Sequence, residues 1–332
     1  MAFMLLTETR AAEQLREEGY TVLRGVLDVE QDIEPLIEEY GVVLDGLIEK
    51  LYAEGKLRHK YPAENTLDRL SAFVADTGDE FFDHLSIYVS HSYDSADRPM
   101  YLHPQMFNLL RSPRLLDAIE QFIGDEIAVS PLHITRIKPP EHSLSEVVQN
   151  SPNGMISKTL WHQDLWAFQT DADETDALTV WVPMVPVDEE TGCLLVVPGS
   201  HRSGELSVHC KPTENRPHFK GIPDEIIPEE QVTLPADPGD LVILNKLTQH
   251  SSLVNVSDRV RWSYDLRYQP IGQPVGQGGR PAWIARSRKH PEREMTGFED
   301  WRTMWRDIMA REASQGGIED HTRYSLTSPL CF

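Results

Sequence analysis

In the segment TLWHQDLWAF, His162 and Asp164 are separated by one residue. Residues i and i+2 of an extended strand project to the same face, so an imidazole and a carboxylate converge there. Joined by a second imidazole from elsewhere, they would form a two-histidine, one-carboxylate facial triad that leaves coordination positions open on iron(II). The tripeptide also has a plainer reading, a His to Asp hydrogen bond on a surface strand, because HxD is a short pattern.

A second histidine stands downstream in PGDLVILNKLTQHSSLVNVSDRVRWSYDLRYQP. His250 follows a hydrophobic run introduced by the turn Pro238-Gly239-Asp240, so it falls at a strand end, where sites on rigid sheets are built. Eleven residues later, Arg261 opens a run whose alternation places Arg261, Ser263, Asp265 and Arg267 on one face and Trp262, Tyr264, Leu266 and Tyr268 on the other. If the polar face points into a barrel, an arginine there needs an anion, and its planar fork suits a carboxylate. Pairing with Asp265, or a solvated face, is the alternative.

These residues need a scaffold. Up to about residue 125 the chain reads as helix-rich, with apolar residues at three-to-four spacing in DIEPLIEEYGVVLDGLIEKLYAEG and RSPRLLDAIEQFIGDE. From Glu126 the pattern changes to short β-branched and apolar runs bounded by Pro, Gly and Asp: EIAVSPLHITRIKPP, ALTVWVPMVPV, GCLLVVPGSH, QVTLPADPG, DLVILNK and VRWSYDLRYQPI. Short strands without intervening helices predict an antiparallel, mainly β fold with flanking helices, best met by a double-stranded β-helix, the jelly-roll or cupin-like core. The expected organisation is one catalytic domain over 1–332, with a helical layer at 1–125, the jelly roll at 126–270 and an extension at 271–332 that starts in a Gly-rich turn and carries a helix near FEDWRTMWRDIMAREA. Segments 139–158 and 202–230 lack periodicity and read as long loops of the kind that form lids.

The net charge of −22 over 332 residues disfavours nucleic acid as a partner. It also means that any anionic ligand needs a local arginine. No run of about 18 apolar residues is present to span a bilayer, and MAFMLLTETRAAEQLREEGY lacks the basic start and long apolar stretch of a signal peptide, so a cytoplasmic location without membrane partners is expected. Cys193, Cys210 and Cys331 are widely spaced and without a CxxC pair, and they read as buried or incidental thiols.

In order and spacing, HQD (162–164), GCLLVVPGSHRSG (192–204), PGD (238–240) and H-x-S-x-x-N-x-S-x-x-x-R (250–261) resemble the phytanoyl-CoA dioxygenase family of 2-oxoglutarate oxygenases, as does GYTVLRGVLD (19–28) near the start. The likeness spans roughly residues 125–270. It implies iron(II) held by His162, Asp164 and His250, with 2-oxoglutarate and molecular oxygen (O2) as cosubstrates. It further implies that Arg261 binds the far carboxylate of 2-oxoglutarate with Ser252 beside it and Arg259 as fallback, and that Trp181 and Gln163 reach the same pocket. Oxidative decarboxylation to succinate and CO2 would drive hydroxylation of a C–H bond. Halogenating members of the family lack the carboxylate ligand, so Asp164 implies oxygenation.

A cupin-type protein with another divalent metal, or a ligand-binding jelly roll, remains the alternative. His201 would not ligate iron by this likeness, and His209 and His218 are expected to be solvent-exposed in the loop over the mouth. That loop sets Arg202, Lys211, Arg216 and Lys220 against Glu205, Glu214, Asp224, Glu225, Glu229 and Glu230, which is no basic patch for a polyphosphate. A small-molecule substrate without a CoA handle is therefore expected. No motif names that substrate or sets the oligomeric state.

Overall fold

The computed structural model describes residues 2–87, 95–150, 154–214, 216–316 and 322–332. Residues 151–153 of the first long loop and residue 215 of the second lie outside the described residues. The helices are α1 (Ala2–Glu18), α2 (Glu34–Ala53), α3 (Thr66–Thr77), α4 (Pro104–Leu110), α5 (Pro113–Ile123), α6 (Glu146–Asn150) and α7 (Phe298–Ser314). The strands are β1 (Tyr20–Leu23), β2 (Glu126–Val129), β3 (Ile134–Lys138), β4 (Leu178–Pro183), β5 (Leu194–Val196), β6 (Val232–Leu234), β7 (Leu241–Asn245), β8 (His250–Ser252), β9 (Arg261–Pro270) and β10 (Trp283–Ser287).

The strands form two antiparallel sheets. The larger runs β1-β7-β4-β9-β2-β10, with β3 also pairing β9, and the smaller runs β6-β5-β8. This arrangement is the expected jelly roll. Strands from both flanks of the central segment enter it, since β1 pairs β7 and β10 pairs β2. The five alternating residues of β10 lie between a Gly-rich turn and a helix, and the sequence reading passed over them.

Strand β9 is the spine. It pairs β4 on one side and β3 on the other, and all but its last residue are buried. Its apolar face meets the helical layer: Tyr40 of α2 packs on Trp262 at 4.5 Å between ring centroids, and the Tyr268 hydroxyl donates to Leu110 O at 2.9 Å. Helix α2 is fixed there because Leu36, Tyr40, Leu44, Leu47, Ile48 and Leu51 recur on one side and are all buried. Each such side chain contributes about 1.5–3 kcal/mol when taken from water. The opposite, polar face of β9 therefore points into the barrel.

Two expectations need correction here. Cys210 and Cys331 are joined in a disulfide, with Cα atoms 5.2 Å apart, which fastens the chain's last segment to the second long loop; only Cys193 is a free buried thiol. His209 is buried, not solvent-exposed. Its ring stacks on Trp166 at 5.3 Å, its Nε2 accepts from Gln163 N, and its carbonyl accepts from Ser325 N. His218 is exposed as expected. No helix among the described residues is long and apolar enough to cross a membrane.

Candidate active site

His162 does not lie in a regular strand, contrary to expectation. It forms an isolated antiparallel bridge with His250, each residue's N–H donating to the other's carbonyl at 2.9 Å, and Asp164 begins a 3-10 turn. Gln163 between them is extended (φ −118°, ψ 136°), so the i, i+2 rule still turns both flanking side chains the same way. His250 opens β8, which is seated on β5 across the turn at Gly192. That glycine has φ +89°, and a Cβ would come within 2.7 Å of Leu253 O, so the motif glycine permits the close approach.

One ligand atom from each of His162, Asp164 and His250 lies within 4.8 Å of the others, and all three residues are buried. His162 Nδ1 is 2.9 Å from Leu160 O, and His250 Nδ1 is 2.9 Å from Thr248 O. A carbonyl only accepts, so each Nδ1 carries the proton and each Nε2 keeps a lone pair for a metal. Burial, and next the neighbouring His250, hold the His162 pKa well below its ordinary value, which keeps it neutral. Burial alone would raise the Asp164 carboxyl, but Arg267, His250, His162 and the Thr179 hydroxyl overcome it and hold it well below the usual carboxylate range. Two imidazoles and one carboxylate fit iron(II).

On the polar face of β9, partners separate the charged residues. Arg267 donates to Asp164 Oδ1. Asp265 accepts from Arg136 Nε at 2.7 Å. Arg261 is fully buried, and Nε, Nη1 and Nη2 all lack a hydrogen-bond partner. Its guanidinium carbon lies 5.0 Å from the centre of the Trp181 ring. Burial, with Arg136 adding repulsion, brings its pKa down to about 9. A buried cation of this kind requires an anion.

The other expected residues divide. Trp181 lines a small cavity with His162, His250, Thr179 and Arg136. Ser252 Oγ accepts from Lys138 Nζ at 2.7 Å, and Lys138 stands opposite Arg261 in the β3–β9 register. Gln163 is not brought to the site: its amide donates to Leu247 O and accepts from Ser207 N, both at 2.7 Å. Arg259 is exposed and pairs with Asp188 at 3.1 Å. His201 meets Arg16 O at 3.0 Å.

Sequence reasoning missed Lys138, Arg136, Thr179 and the role of Arg267. Strand parity with Arg261 and Trp181 would have pointed to the last two. Beside His162 and Asp164 opens a larger cavity of about 810 Å³, walled by Leu132, Ile134, Met155, Trp166 and Phe219 among others.

A family model described as phytanoyl-CoA dioxygenase (PhyH) matches residues 15–263. The chain belongs to the phytanoyl-CoA dioxygenase family. As such it is an iron(II)- and 2-oxoglutarate-dependent dioxygenase, and its His-Asp-His cluster is a group that could hold a metal ion. Among curated members, it is 29% identical to a 1-deoxypentalenic acid 11-beta-hydroxylase of Streptomyces arenae, over 84% of this chain and 87% of that one. It is 28% identical to an ectoine dioxygenase of Bordetella bronchiseptica, over 55% and 61% respectively. Among solved structures, the non-heme monooxygenase ThoJ in its apo form has the same fold, with a TM-score of 0.56 at 17% identity, covering 92% of this chain and 98% of that one.

Proposed function

We propose that His162, Asp164 and His250 hold the iron, that Arg261 receives the far carboxylate of 2-oxoglutarate, and that the enzyme hydroxylates a C–H bond of a small metabolite carrying no CoA. The observation that carries this reading is Arg261 itself, fully buried with every guanidinium nitrogen unpartnered, while Arg267 and Asp265 on the same face are paired. Trp181 supports its guanidinium from beneath. Ser252, held by Lys138, stands two residues beyond His250 on β8 and limits where the cosubstrate can lie.

Bound iron supplies oxygen activation coupled to decarboxylation of 2-oxoglutarate. The protein supplies position and dryness. The two buried imidazoles engage backbone carbonyls through Nδ1 and leave Nε2 for the metal, and Leu132, Ile134, Met155 and Phe219 give the large cavity an apolar stretch of wall for a substrate C–H bond. A cavity of about 810 Å³ suits a compact molecule. The relatives named for 1-deoxypentalenic acid and ectoine act on molecules of that scale. The net charge of −22, and a loop 202–230 with more acidic than basic residues, weigh against a CoA thioester.

The test pairs matched acyl-CoA and free-metabolite panels with the iron-loaded enzyme, following succinate and hydroxylated product by mass spectrometry. Turnover of free metabolites is expected. Efficient hydroxylation of an acyl-CoA with none of the free acid would overturn the substrate class. In anaerobic calorimetry, Arg261→Ala should weaken 2-oxoglutarate binding by roughly tenfold to several hundredfold, and Arg259→Ala should not. The reverse order would move the cosubstrate role to Arg259.

A further inference from the structure

Asp164 is gripped from two strands at once. Arg267 Nη2 donates to its Oδ1, and the Thr179 hydroxyl donates to its Oδ2. Thr179 and Arg267 stand directly opposite each other in the β4–β9 register, so both donors come from the rigid centre of the large sheet. Arg267 is itself anchored, with Nη1 donating to Leu132 O at 3.3 Å. Oδ1 lies 3.8 Å from His162 Nε2. Oδ2 is the one engaged by Thr179.

A carboxylate with free rotation can offer a metal one oxygen or both, and a second oxygen would occupy a position that an oxygenase must leave to its cosubstrate. We propose that Thr179 and Arg267 are positioning residues that hold Asp164 to a single metal-facing oxygen, and so keep room on the metal for 2-oxoglutarate. This inference rests on the ligand assignment proposed above. A merely structural ion pair would explain Arg267, since a buried carboxylate needs compensation. A structural role would also explain the Thr179 hydroxyl on the second oxygen, but it would leave the ligand set of a bound metal unchanged when that hydroxyl is removed, and a metal titration separates the two.

Thr179→Val removes the hydroxyl at nearly constant volume, and Thr179→Ser restores it. The probe is cobalt(II), titrated anaerobically into the full chain, with visible absorption reporting the ligand set and calorimetry reporting 2-oxoglutarate affinity of the cobalt form. In Thr179→Val, cobalt should bind as tightly as in the wild type or more tightly, with altered bands, while 2-oxoglutarate affinity falls about tenfold or more. Thr179→Ser should recover the wild-type bands and affinity. Arg267→Lys, which keeps the charge but not the planar fork, should shift the bands in the same direction as Thr179→Val.

Unchanged bands and affinity in Thr179→Val would overturn the proposal. So would a parallel loss of cobalt and 2-oxoglutarate binding, which marks general damage to the site. Failure of the ligand assignment would look different: the wild-type protein would then not bind cobalt at His162, Asp164 and His250, and His250→Ala would leave the titration unchanged.

Discussion

Replacing Arg261 by methionine should make the ligand-free protein more stable and weaken its response to 2-oxoglutarate. Burial brings the guanidinium pKa down to about 9, well below its ordinary value. At 1.36 kcal/mol per pKa unit, holding that charge at neutral pH costs about 5 kcal/mol. The contact with the Trp181 face offsets about 1–2 kcal/mol. Methionine keeps the apolar stem and removes the charge, so a net gain of about 3 kcal/mol is expected, or roughly 4 °C in melting temperature for a chain of this length. In the wild type, 2-oxoglutarate at a hundred times its dissociation constant should add about 2.7 kcal/mol, and at the same concentration in the variant about 1.4 kcal/mol or less. Thermal melts with iron(II) under argon, with and without 2-oxoglutarate, give both numbers. A variant that melts below the wild type yet rises with 2-oxoglutarate as much as the wild type would refute the reasoning, because Arg261 would then be a structural cation.

His209 should make stability depend on pH. Burial puts its pKa at about 4 against an ordinary 6.5. Between those values the unfolded chain takes up a proton that the folded chain refuses, so this contribution is present above pH 6.5 and declines as pH falls towards 4. The loss between pH 7 and 5 is about 2 kcal/mol. His209→Gln keeps an acceptor for Gln163 N–H and should flatten the curve by that amount in urea titrations at the two pH values; an unchanged slope would reject the assignment. Opening the disulfide by Cys331→Ser should also destabilise. Closing a span of 121 residues restrains the unfolded chain by up to about 5 kcal/mol in the chain-entropy model. Denaturant midpoints of the oxidised wild type and the variant test this, and equal midpoints would show that the bond adds nothing.

What the sequence revealed was whatever local rules govern. The alternation RWSYDLRY assigns both faces of β9, and the helical spacing of α2 assigns its buried side. The ordered motifs place both histidines, Asp164 and Arg261. What escaped were meetings between distant residues. Arg267 and Asp164 are 103 positions apart, Lys138 and Ser252 are 114 apart, and their contact depends on sheet register that no local pattern encodes. The disulfide escaped for the same reason. His209 lies in a loop without periodicity, and its burial follows from Trp166 and the tail at Ser325. Gln163 is a different case. The alternation that brings His162 and Asp164 together sends the residue between them the other way, so the expectation for its side chain ran against the rule used for its neighbours.

The barrel interior holds Arg136, Arg261 and Arg267 against Asp164 and Asp265, inside a chain whose net charge is −22. A dianion approaching from solution meets repulsion first and attraction only after it has entered. Mobile ions screen the first of these and hardly reach the second. Added salt should therefore speed the entry of 2-oxoglutarate and leave its departure nearly unchanged, so that affinity rises with ionic strength, the opposite of what a surface arginine site would show.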